Sequence, residues 1–566
     1  MSDLSRLLRL TRPLKGMLWL GFILACLASL ANFGLLFLSG WLLAGAAAAG
    51  LGGIATQNLF NLFMPAAGVR FFATVRILAR YAERLVTHDA ALRVVSVLRG
   101  WSFERLIPRS PLLETRHRSG DILARFVGDT DRMGQFPLDA LLPFGVAAVC
   151  STISVLIMAL FSVPVALLMA LTLLLIGAAA PFLAGKPVDR IMQAYAKAAD
   201  ALRADSVETV QALGDIAFCG ATERTLKRLE AYQTSLSAGQ YRLAAITHAA
   251  RQSVAFIGML TAAGVIGLAA NALQHHRLSA AELPMLALGC LAAFEQVSGL
   301  IPARQALGRA MLSARRVFAL CDMPPPVPQP ERTPPLPLTP DLTMQDVTLA
   351  YPGSHVPVLH GLSLSVQAGE RVGIIGPSGE GKSSLGRLLM RLAEYQRGSV
   401  CFGGVDLRTL STQTLSGRVG VLSQTFHLQQ GSIRHNLRIA CPDADENEMW
   451  AALQAAHLDT EIRAMTKGLD TRVGEHGVCL SGGQARRLAV AQIILRRPAW
   501  LLLDEPTEGL TPEAGQALIG SLLMALPAAT VLCITHRPEP LTFMNRVLRL
   551  ENGQLHPREI PAHPTP

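Results

Sequence analysis

The chain has 566 residues, of which 50% are hydrophobic and only 16% are charged. Average soluble chains carry about 25% charged residues, so this composition argues against a purely soluble protein and against a disordered one. Its nine cysteines are scattered without a C-x-x-C pair, which predicts neither a disulfide framework nor a zinc site. The net charge of +10 is compatible with nucleic-acid binding, so the position of the basic residues decides that question.

Long runs without Asp, Glu, Lys or Arg mark the predicted membrane spans. Gly16 to Val69 and Ala140 to Gly185 are each long enough for two spans of about 20 residues. Gln252 to Gln274 fits one more, and Leu283 to Pro302, interrupted only by Glu295, fits a sixth. The predicted spans are therefore 17–43, 55–78, 138–161, 164–185, 250–273 and 282–303.

The basic residues lie on one side of these spans. Four precede the first span, twelve arginines lie in 70–139 and nine basic residues lie in 186–251, whereas the three opposite loops hold only Arg277. By the positive-inside rule the basic side, with both termini, is cytoplasmic. This topology explains the positive charge without nucleic acid as a partner.

The two basic segments are too long to be loops. From Arg70 the chain has helix formers and neither Gly nor Pro for thirty residues, which predicts that spans two to five continue as long helices into the cytoplasm. Predicted breaks in these helices lie at Pro108, Pro111, Gly120, Gly214 and Gly220.

The composition changes after Arg316. Residues 324–340 are rich in proline and predict a semi-rigid, extended linker. From residue 341 to 566, short β-branched strands alternate with helices, which is typical of an α/β domain. The predicted organisation is a transmembrane domain over 1–323, the linker, and an α/β domain over 341–566.

A P-loop follows the predicted strand Arg371–Ile375 and precedes a predicted helix over Ser384–Leu392, which is the context that confirms the motif. Its backbone N–H groups and the helix N-terminus would bind phosphates. We expect Lys382 to reach the β and γ phosphates and Ser383 to ligate Mg²⁺. The predicted nucleotide-binding residues of this loop are Gly376, Pro377, Ser378, Gly379, Glu380, Gly381, Lys382, Ser383 and Ser384.

A second motif, Trp500-Leu-Leu-Leu-Asp-Glu, is a predicted buried strand that ends in two carboxylates. We expect Asp504 to hold Mg²⁺ and Glu505 to polarise the attacking water as a general base.

Between the two motifs, Leu480 to Gln484 reads LSGGQ. With the P-loop and LLLDE, this set resembles the signature motifs of ATP-binding cassette (ABC) proteins. In that family two cassettes close head to tail, and each ATP lies between the P-loop of one chain and the LSGGQ helix of the other. The resemblance implies ATP contacts for Ser481, Gly482, Gly483 and Gln484.

The same family supplies roles for three further residues. Tyr351 resembles the aromatic residue that stacks on adenine, and His536 the switch histidine, a catalytic residue that contacts the γ-phosphate. Gln424 resembles the Q-loop glutamine, which the resemblance implies is a catalytic residue and an Mg²⁺ ligand. Thr511 departs from the family, since the D-loop there usually carries Asp. That loop communicates between the two ATP sites, so the substitution bears on how tightly they are coupled.

Six membrane helices with long cytoplasmic extensions, followed by one P-loop ATPase domain, resemble an ABC exporter half-transporter. Within that class, five blocks resemble the CydC family of bacterial exporter subunits. They are Leu38–Trp41, Met64–Arg70, Arg80–Ala90, Gly120–Leu123 and Leu291–Glu295. The similarity runs over essentially the whole chain, and Arg80–Ala90 is its most specific part.

The resemblance implies a heterodimer with a CydD-like half-transporter in the bacterial inner membrane, with the ATPase domain in the cytoplasm. ATP hydrolysis would drive export of cysteine and glutathione, of heme, or of both, and would support assembly of cytochrome bd and periplasmic cytochromes. Heme b would bind with His88 as axial ligand and with Arg80 and Arg84 pairing its propionates.

Two alternatives stay open at this stage. One is a homodimeric exporter of lipids or drugs. The other is a heme-binding assembly ATPase that moves nothing across the membrane.

Overall fold

The structure is a computed structural model that describes residues 3–54, 60–110, 122–123, 125–330, 332–336, 340–351, 354, 356–377, 379–474 and 480–558. It divides into two compact units, Met1–Met323 and Pro324–Pro566.

The first unit is built of helices. They are α1 (Asp3–Thr11), α2 (Lys15–Leu51), α3 (Phe63–Leu106), α4 (Thr130–Phe136), α5 (Leu142–Phe161), α6 (Val163–Leu174), α7 (Ala180–Gln211), α8 (Leu213–Phe218), α9 (Thr222–Gln274), α10 (Glu282–Val297) and α11 (Leu300–Cys321). Short π-helical segments at Arg125–Asp129, Pro137–Leu141 and Leu175–Ala179 join several of them, and 3₁₀ turns lie at Arg12–Leu14 and Ile107–Arg109.

Several of these helices are longer than a membrane requires. Helix α9 has 53 residues and is therefore about 80 Å long, against a hydrocarbon core of about 30 Å. Helix α8 lies before it between two turns, and Gly220 has a φ of +65° that favours glycine. Pro108 lies in the 3₁₀ turn that follows α3, whereas Pro111 and Gly120 lie outside the described residues.

By length and composition, four helical stretches in the described part of the chain are able to cross a membrane: Asp3–Leu51, Arg125–Phe161, Thr222–Gln274 and Glu282–Cys321. The apolar helix Val163–Gly177 is shorter. Helix α3 carries three arginines in its first 18 residues, which lowers its hydropathy where the second span is predicted. The count of six spans stays a prediction.

A buried ionic cluster ties the helices of the first unit together. Asp129, which is 2% exposed, accepts hydrogen bonds from Ser313 at 2.9 Å, Arg316 at 3.0 Å and Arg132 at 2.9 Å. Arg316 also pairs with Asp200 on α7 at 2.5 Å. A buried charge destabilises a fold unless hydrogen bonds satisfy it, and here three donors satisfy the carboxylate of Asp129.

The described residues of the second unit form three sheets. Their strands are β1 (Leu342–Leu349), β2 (Leu359–Val366), β3 (Arg371–Ile375), β4 (Arg397–Phe402), β5 (Val405–Asp406), β6 (Val419–Leu422), β7 (Gly431–Ser432), β8 (Arg472–Val473), β9 (Trp500–Asp504), β10 (Thr530–Ile534), β11 (Arg546–Glu551) and β12 (Gln554–Arg558). The larger sheet has the order β12-β11-β3-β10-β9-β6, the antiparallel sheet has the order β2-β1-β4-β5, and β7 pairs with β8.

Helices flank these sheets. They are α12 (Lys382–Leu389), α13 (Thr412–Ser416), α14 (Ile433–Ala440), α15 (Glu446–Ala455), α16 (Asp459–Ala464), α17 (Gly482–Arg496), α18 (Pro512–Ala525) and α19 (Pro538–Leu541), with 3₁₀ turns at Leu407–Thr409 and Gly468–Asp470. The predicted strand Arg371–Ile375 matches β3, but the helix after the P-loop begins at Lys382 and ends at Leu389 instead of covering Ser384–Leu392. It ends early because Arg391 adopts a left-handed φ of +55°.

The parallel strands of the large sheet determine where the site lies. Strands β3, β10 and β9 are neighbours in register, with Ile534 of β10 opposite both Ile374 and Asp504. Strands β9 and β10 are buried almost throughout, which is why they consist of unbroken apolar runs. The loops after all three therefore meet at the carboxyl edge of the sheet, where ligands bind in open α/β sheets.

The ionic cluster gives a prediction about stability. Asp129→Ala removes the acceptor of three hydrogen bonds and leaves Arg316, whose side chain is 18% exposed, with Asp200 as its remaining acidic partner, so it should cost about 2 kcal/mol and lower the Tm of the purified protein. The matched control is Asp89→Ala, because Asp89 forms an exposed i,i+4 pair with Arg93 on α3. Equal melting temperatures for the two variants would contradict the importance of the cluster.

Candidate functional site

The P-loop has the backbone that its glycines predict. Gly379 and Gly381 have φ values of +95° and +94°, and a Cβ at Gly376 would lie 2.4 Å from the carbonyl oxygen of Leu550. Lys382 curls over the loop and donates from Nζ to the carbonyl oxygens of Gly376 and Pro377 at 2.7 and 2.6 Å. The ammonium group thus lies inside the loop that is predicted to bind phosphate, while Ser378 lies outside the described residues.

Two of the three predicted Mg²⁺ ligands meet at the sheet edge: Ser383 in the first turn of α12 and Asp504 at the end of β9. Ser383 hydrogen-bonds to the carboxylate of Asp504. Burial raises the pKa of Asp504, and the neighbouring carboxylate of Glu505 adds to that effect, whereas Ser383 and Lys382 oppose it. A hydroxyl and a carboxylate oxygen together fit Mg²⁺, which prefers oxygen ligands and retains several waters.

The carboxylate of Glu505 is held firmly. Glu505 is 7% exposed and has a φ of +49°, an unusual backbone conformation for a residue other than glycine. Its Oε2 accepts a hydrogen bond from the hydroxyl of Thr535 at 3.0 Å. Its Oε1 accepts from the backbone N–H of His536 at 3.2 Å and lies 2.8 Å from Nδ1 of the same residue. The predicted general base and the predicted switch histidine are therefore in direct contact.

Three residues of this site were missed by sequence reasoning. Thr535 is fully buried beside Glu505, and Arg537 donates to the carbonyl oxygens of Thr507 at 3.1 Å and Leu510 at 2.9 Å, which fixes the D-loop. Arg486, which is the third, is 5% exposed. Of the three, only Arg486 could have been noticed in the sequence, because it lies just after LSGGQ on the same helix.

Arg486 joins the separate parts of the site through backbone groups. Its guanidinium donates to the carbonyl oxygen of Glu505 and, at 3.2 Å, to that of Gln424. It also lies 3.5 Å from the carboxylate of Glu508. Burial lowers the pKa of Arg486, and the nearby carboxylates of Glu508 and Glu505 counteract that effect. One cation thus links the Q-loop to the end of β9.

The LSGGQ motif forms the start of α17. Ser481 is its N-cap and forms a capping box with Gln484. The backbone N–H of Gln484 donates to the hydroxyl of Ser481 at 3.2 Å, and the backbone N–H of Ser481 donates to Oε1 of Gln484 at 2.8 Å. Gln484 also donates to Glu461 at 2.6 Å. A Cβ at Gly482 would meet nothing within 4 Å, so this turn is open on its outer side, whereas one at Gly483 would press on Leu510.

Two other predicted residues have identified partners. The hydroxyl of Tyr351 donates to Ser384 at 3.1 Å, which places its ring beside the P-loop helix. Thr511 is the N-cap of α18 and accepts from the N–H of Ala514 at 3.4 Å. Threonine at this D-loop position therefore performs a capping role that aspartate also performs well.

The first unit contains a cavity of about 640 Å³, lined by charged and apolar residues, between α2, α3, α5 and α10. Arg76, Arg80 and Arg84 line it from α3, and Glu295 lines it from α10. Asn32 on α2 donates to Glu295 at 2.9 Å and accepts from Arg76 at 2.9 Å. Three arginines of α3 thus line the same cavity as a carboxylate that is predicted to lie inside a span.

His88 is exposed one turn beyond Arg84 on the same helix and is not among the residues that line this cavity. The cavity is lined by Tyr81, Arg80 and Arg84. The two arginines that are predicted to pair with the heme propionates therefore lie together, whereas the predicted axial ligand lies outside the cavity.

Comparison with known proteins gives the same organisation. The family described as ABC transporter transmembrane region matches residues 18–290, and the family described as ABC transporter matches residues 359–508. The chain is 32% identical to the glutathione/L-cysteine transport system ATP-binding/permease protein CydC of Escherichia coli K12, over 98% of this chain and 96% of that protein.

Two further proteins are similar to this chain, one over part of its sequence and one in its fold. A lipid A-core flippase of Thiobacillus denitrificans is 32% identical, but over only 53% of this chain and 52% of the flippase. The structure of a bacterial Atm1-family ABC exporter with ATP bound has a TM-score of 0.85 at 22% identity, and the match covers 95% of this chain and 94% of that one. The predicted fold class, a helical exporter domain followed by an ABC ATPase domain, is confirmed.

The contacts of Glu505 predict the behaviour of its isostere. Glu505→Gln keeps the size of the side chain and the P-loop contacts to phosphate, but it removes the base that orients water. ATP binding should persist while the hydrolysis rate falls about 100-fold or more. Glu513→Gln on the exposed first turn of α18 is the matched control. Near wild-type hydrolysis in the Glu505 variant would mean that this site does not carry the turnover.

Arg486 gives a separate prediction. Arg486→Lys keeps the charge but loses the planar fork that reaches two carbonyl groups, so kcat should fall by about 10-fold while the KM for ATP changes little. The control is Arg487→Lys, since Arg487 makes a comparable pair of contacts to Glu461 and to the carbonyl of His457, away from Glu505. A change confined to KM would show that Arg486 acts on nucleotide binding instead.

Proposed function

Because this chain belongs to the ABC transporter family, as a half-transporter of the CydC type, we propose that it is one half of a heterodimeric exporter of thiol-containing amino acids and peptides. The ATPase domain couples ATP hydrolysis to transport, as in the family. The observation that carries the proposal is the 32% identity with the E. coli CydC protein over nearly the full length of both chains. Glutathione and cysteine are the cargo named for that relative.

The proposal of a second half-transporter is supported by the nucleotide site itself. One chain provides one P-loop and one LSGGQ helix, and in this family each ATP needs both elements from different chains. A CydD-like chain is the partner that the resemblance implies. The complex would lie in the bacterial inner membrane with the ATPase domain in the cytoplasm, and by analogy with its relatives it would support assembly of cytochrome bd and periplasmic cytochromes.

The cavity of the first unit favours a cargo with charged groups over an uncharged one. Its lining includes three arginines, one glutamate, Asn32 and Gln296. Charged side chains inside a membrane domain are costly, and they mark hydrated paths or binding sites. An uncharged cargo would leave these groups without partners, whereas a cargo with anionic groups, such as an amino acid or a short peptide, provides charges for them.

Heme b binding stays a second proposal. Arg80 and Arg84 fit the propionates of a porphyrin, and bound heme would supply redox chemistry or be the cargo itself. His88 lies outside the cavity that these arginines line, so the residues fit heme only in part. The geometry therefore supports the propionate contacts of Arg80 and Arg84 but not an axial ligand at His88 within the same cavity.

Cargo-stimulated ATP hydrolysis tests the proposal. The chain, purified with a CydD-like partner in nanodiscs, should hydrolyse ATP several-fold faster with glutathione or cysteine than without cargo. The same assay is run with hemin and with lipid A-core, and Glu505→Gln provides the background. Stimulation by lipid alone would replace the proposal with a flippase, and stimulation by hemin alone would replace it with a heme transporter or assembly ATPase.

A further inference from the structure

The turn between β11 and β12 contacts the P-loop near the end of the loop. The backbone N–H of Asn552 donates to Oε2 of Glu380 at 2.7 Å. A hydrogen bond of this length to a carboxylate is charge-assisted and stronger than a neutral one. Glu380 immediately precedes Gly381, the N-cap of α12, so the contact fixes the loop where it turns into the helix.

The sequence of the turn positions this N–H independently of the P-loop. Glu551 pairs with Gln554, so Asn552 and Gly553 form a two-residue hairpin loop. Their φ values of +50° and +74° are left-handed, which is the conformation that Asn-Gly favours in such loops. The carbonyl oxygen of Gly553 also accepts a hydrogen bond from the N–H of His360 in β2 at 3.2 Å. The donor to Glu380 is therefore preorganised.

Strand β11 also contacts the beginning of the P-loop. It runs parallel to β3, with Arg549 opposite Ile375, the last residue of β3. Gly376 follows, and it approaches the carbonyl oxygen of Leu550 so closely that a Cβ has no room. At Gly379, between the two contacts, a Cβ would meet nothing within 4 Å. One hairpin thus holds both ends of the loop, and the loop is open at Gly379.

The contact with Asn552 also determines where a negative charge lies. Glu380 places a carboxylate in a loop that is predicted to bind phosphate, and like charges repel each other. The hydrogen bond from Asn552 holds this carboxylate at the hairpin. Lys382 places its ammonium group over the loop, on the carbonyl oxygens of Gly376 and Pro377. The acid is therefore bound to the hairpin, and the base lies within the loop.

From these contacts we propose that Glu380 is a positioning residue for nucleotide binding, with the β11–β12 turn as its support. Its side chain acts through the backbone N–H groups of the loop, which bind phosphate most tightly when they already converge before ATP arrives. Without the support the loop has more conformations to lose on binding. The affinity for ATP then falls, while the hydrolytic step at Glu505 is unchanged.

Two neutral variants separate the contact from the charge. Glu380→Gln keeps an acceptor oxygen for the N–H of Asn552, whereas Glu380→Ala keeps none. ATP affinity is measured by photolabelling with azido-ATP on the full-length chain with its partner in nanodiscs, because the label reports on this chain separately. Glu380→Ala should bind ATP about 5-fold more weakly than Glu380→Gln, and the two variants should have the same kcat for ATP hydrolysis.

Substitutions in the turn test whether the two residues act together. Asn552→Ala disfavours the left-handed backbone and so displaces the N–H. In the Glu380→Gln background it should weaken ATP binding about as much as Glu380→Ala does, and in the Glu380→Ala background it should add little. Asn552→Gly keeps both the N–H and the backbone conformation, so it should leave the affinity of the Glu380→Gln variant unchanged.

A control in the same unit separates nucleotide affinity from stability. Glu370 also accepts a backbone N–H, from Gln367 at 2.8 Å, but in the turn before β3. Glu370→Ala should lower the Tm without changing the affinity for ATP. Equal affinities of Glu380→Gln and Glu380→Ala, or additive effects with Asn552→Ala, would overturn the proposal. A loss confined to kcat would also overturn it, because Glu380 would then act in the hydrolytic step.

Discussion

The hydrogen bonds that fix the carboxylate of Glu505 are the interaction on which the nucleotide site depends. Thr535 and His536 follow β10, and Glu505 follows β9, so their contact exists only because these strands are parallel neighbours in register. The left-handed backbone of Glu505 turns its side chain back toward β10. Strain of this kind is retained where the surrounding structure over-determines it, as it is at functional sites.

Arg486 extends this arrangement to the elements that would respond to nucleotide. It binds backbone carbonyls of Glu505 and Gln424 and lies near Glu508 at the start of the D-loop. A buried cation with several acceptors is costly to displace, because it would be left without partners. The Q-loop and the end of β9 are therefore expected to move together, and the helix that begins with LSGGQ moves with them.

The first unit also contains charged side chains, and they differ in how they are satisfied. Asp129 is buried and is satisfied within the protein by three donors, whereas Arg84 is exposed and lines the cavity between α2, α3, α5 and α10. The first arrangement stabilises the fold. Asn32 links three helices and lies between Glu295 and Arg76.

Motifs that are contiguous in the chain could be predicted from the sequence, whereas contacts between distant segments could not. The P-loop, LLLDE and LSGGQ identified the family, the fold class and coupled ATP hydrolysis, all of which are confirmed. Thr535 and Arg537 carry no motif, and their partners become visible only when β9 and β10 pair. The sequence likewise placed Glu295 in a span but could not identify Asn32, which is 263 residues away.

Under the proposed function, hydrolysis at Glu505 drives a thiol compound across the membrane. The most direct test is ATP-dependent accumulation of radiolabelled glutathione in sealed proteoliposomes that contain both half-transporters, with the ATPase domains facing outward. The wild type should raise the internal concentration above the external one, and Glu505→Gln should reach only equilibrium. Equal accumulation in both preparations, or none in the wild type while ATP is hydrolysed, would contradict the account.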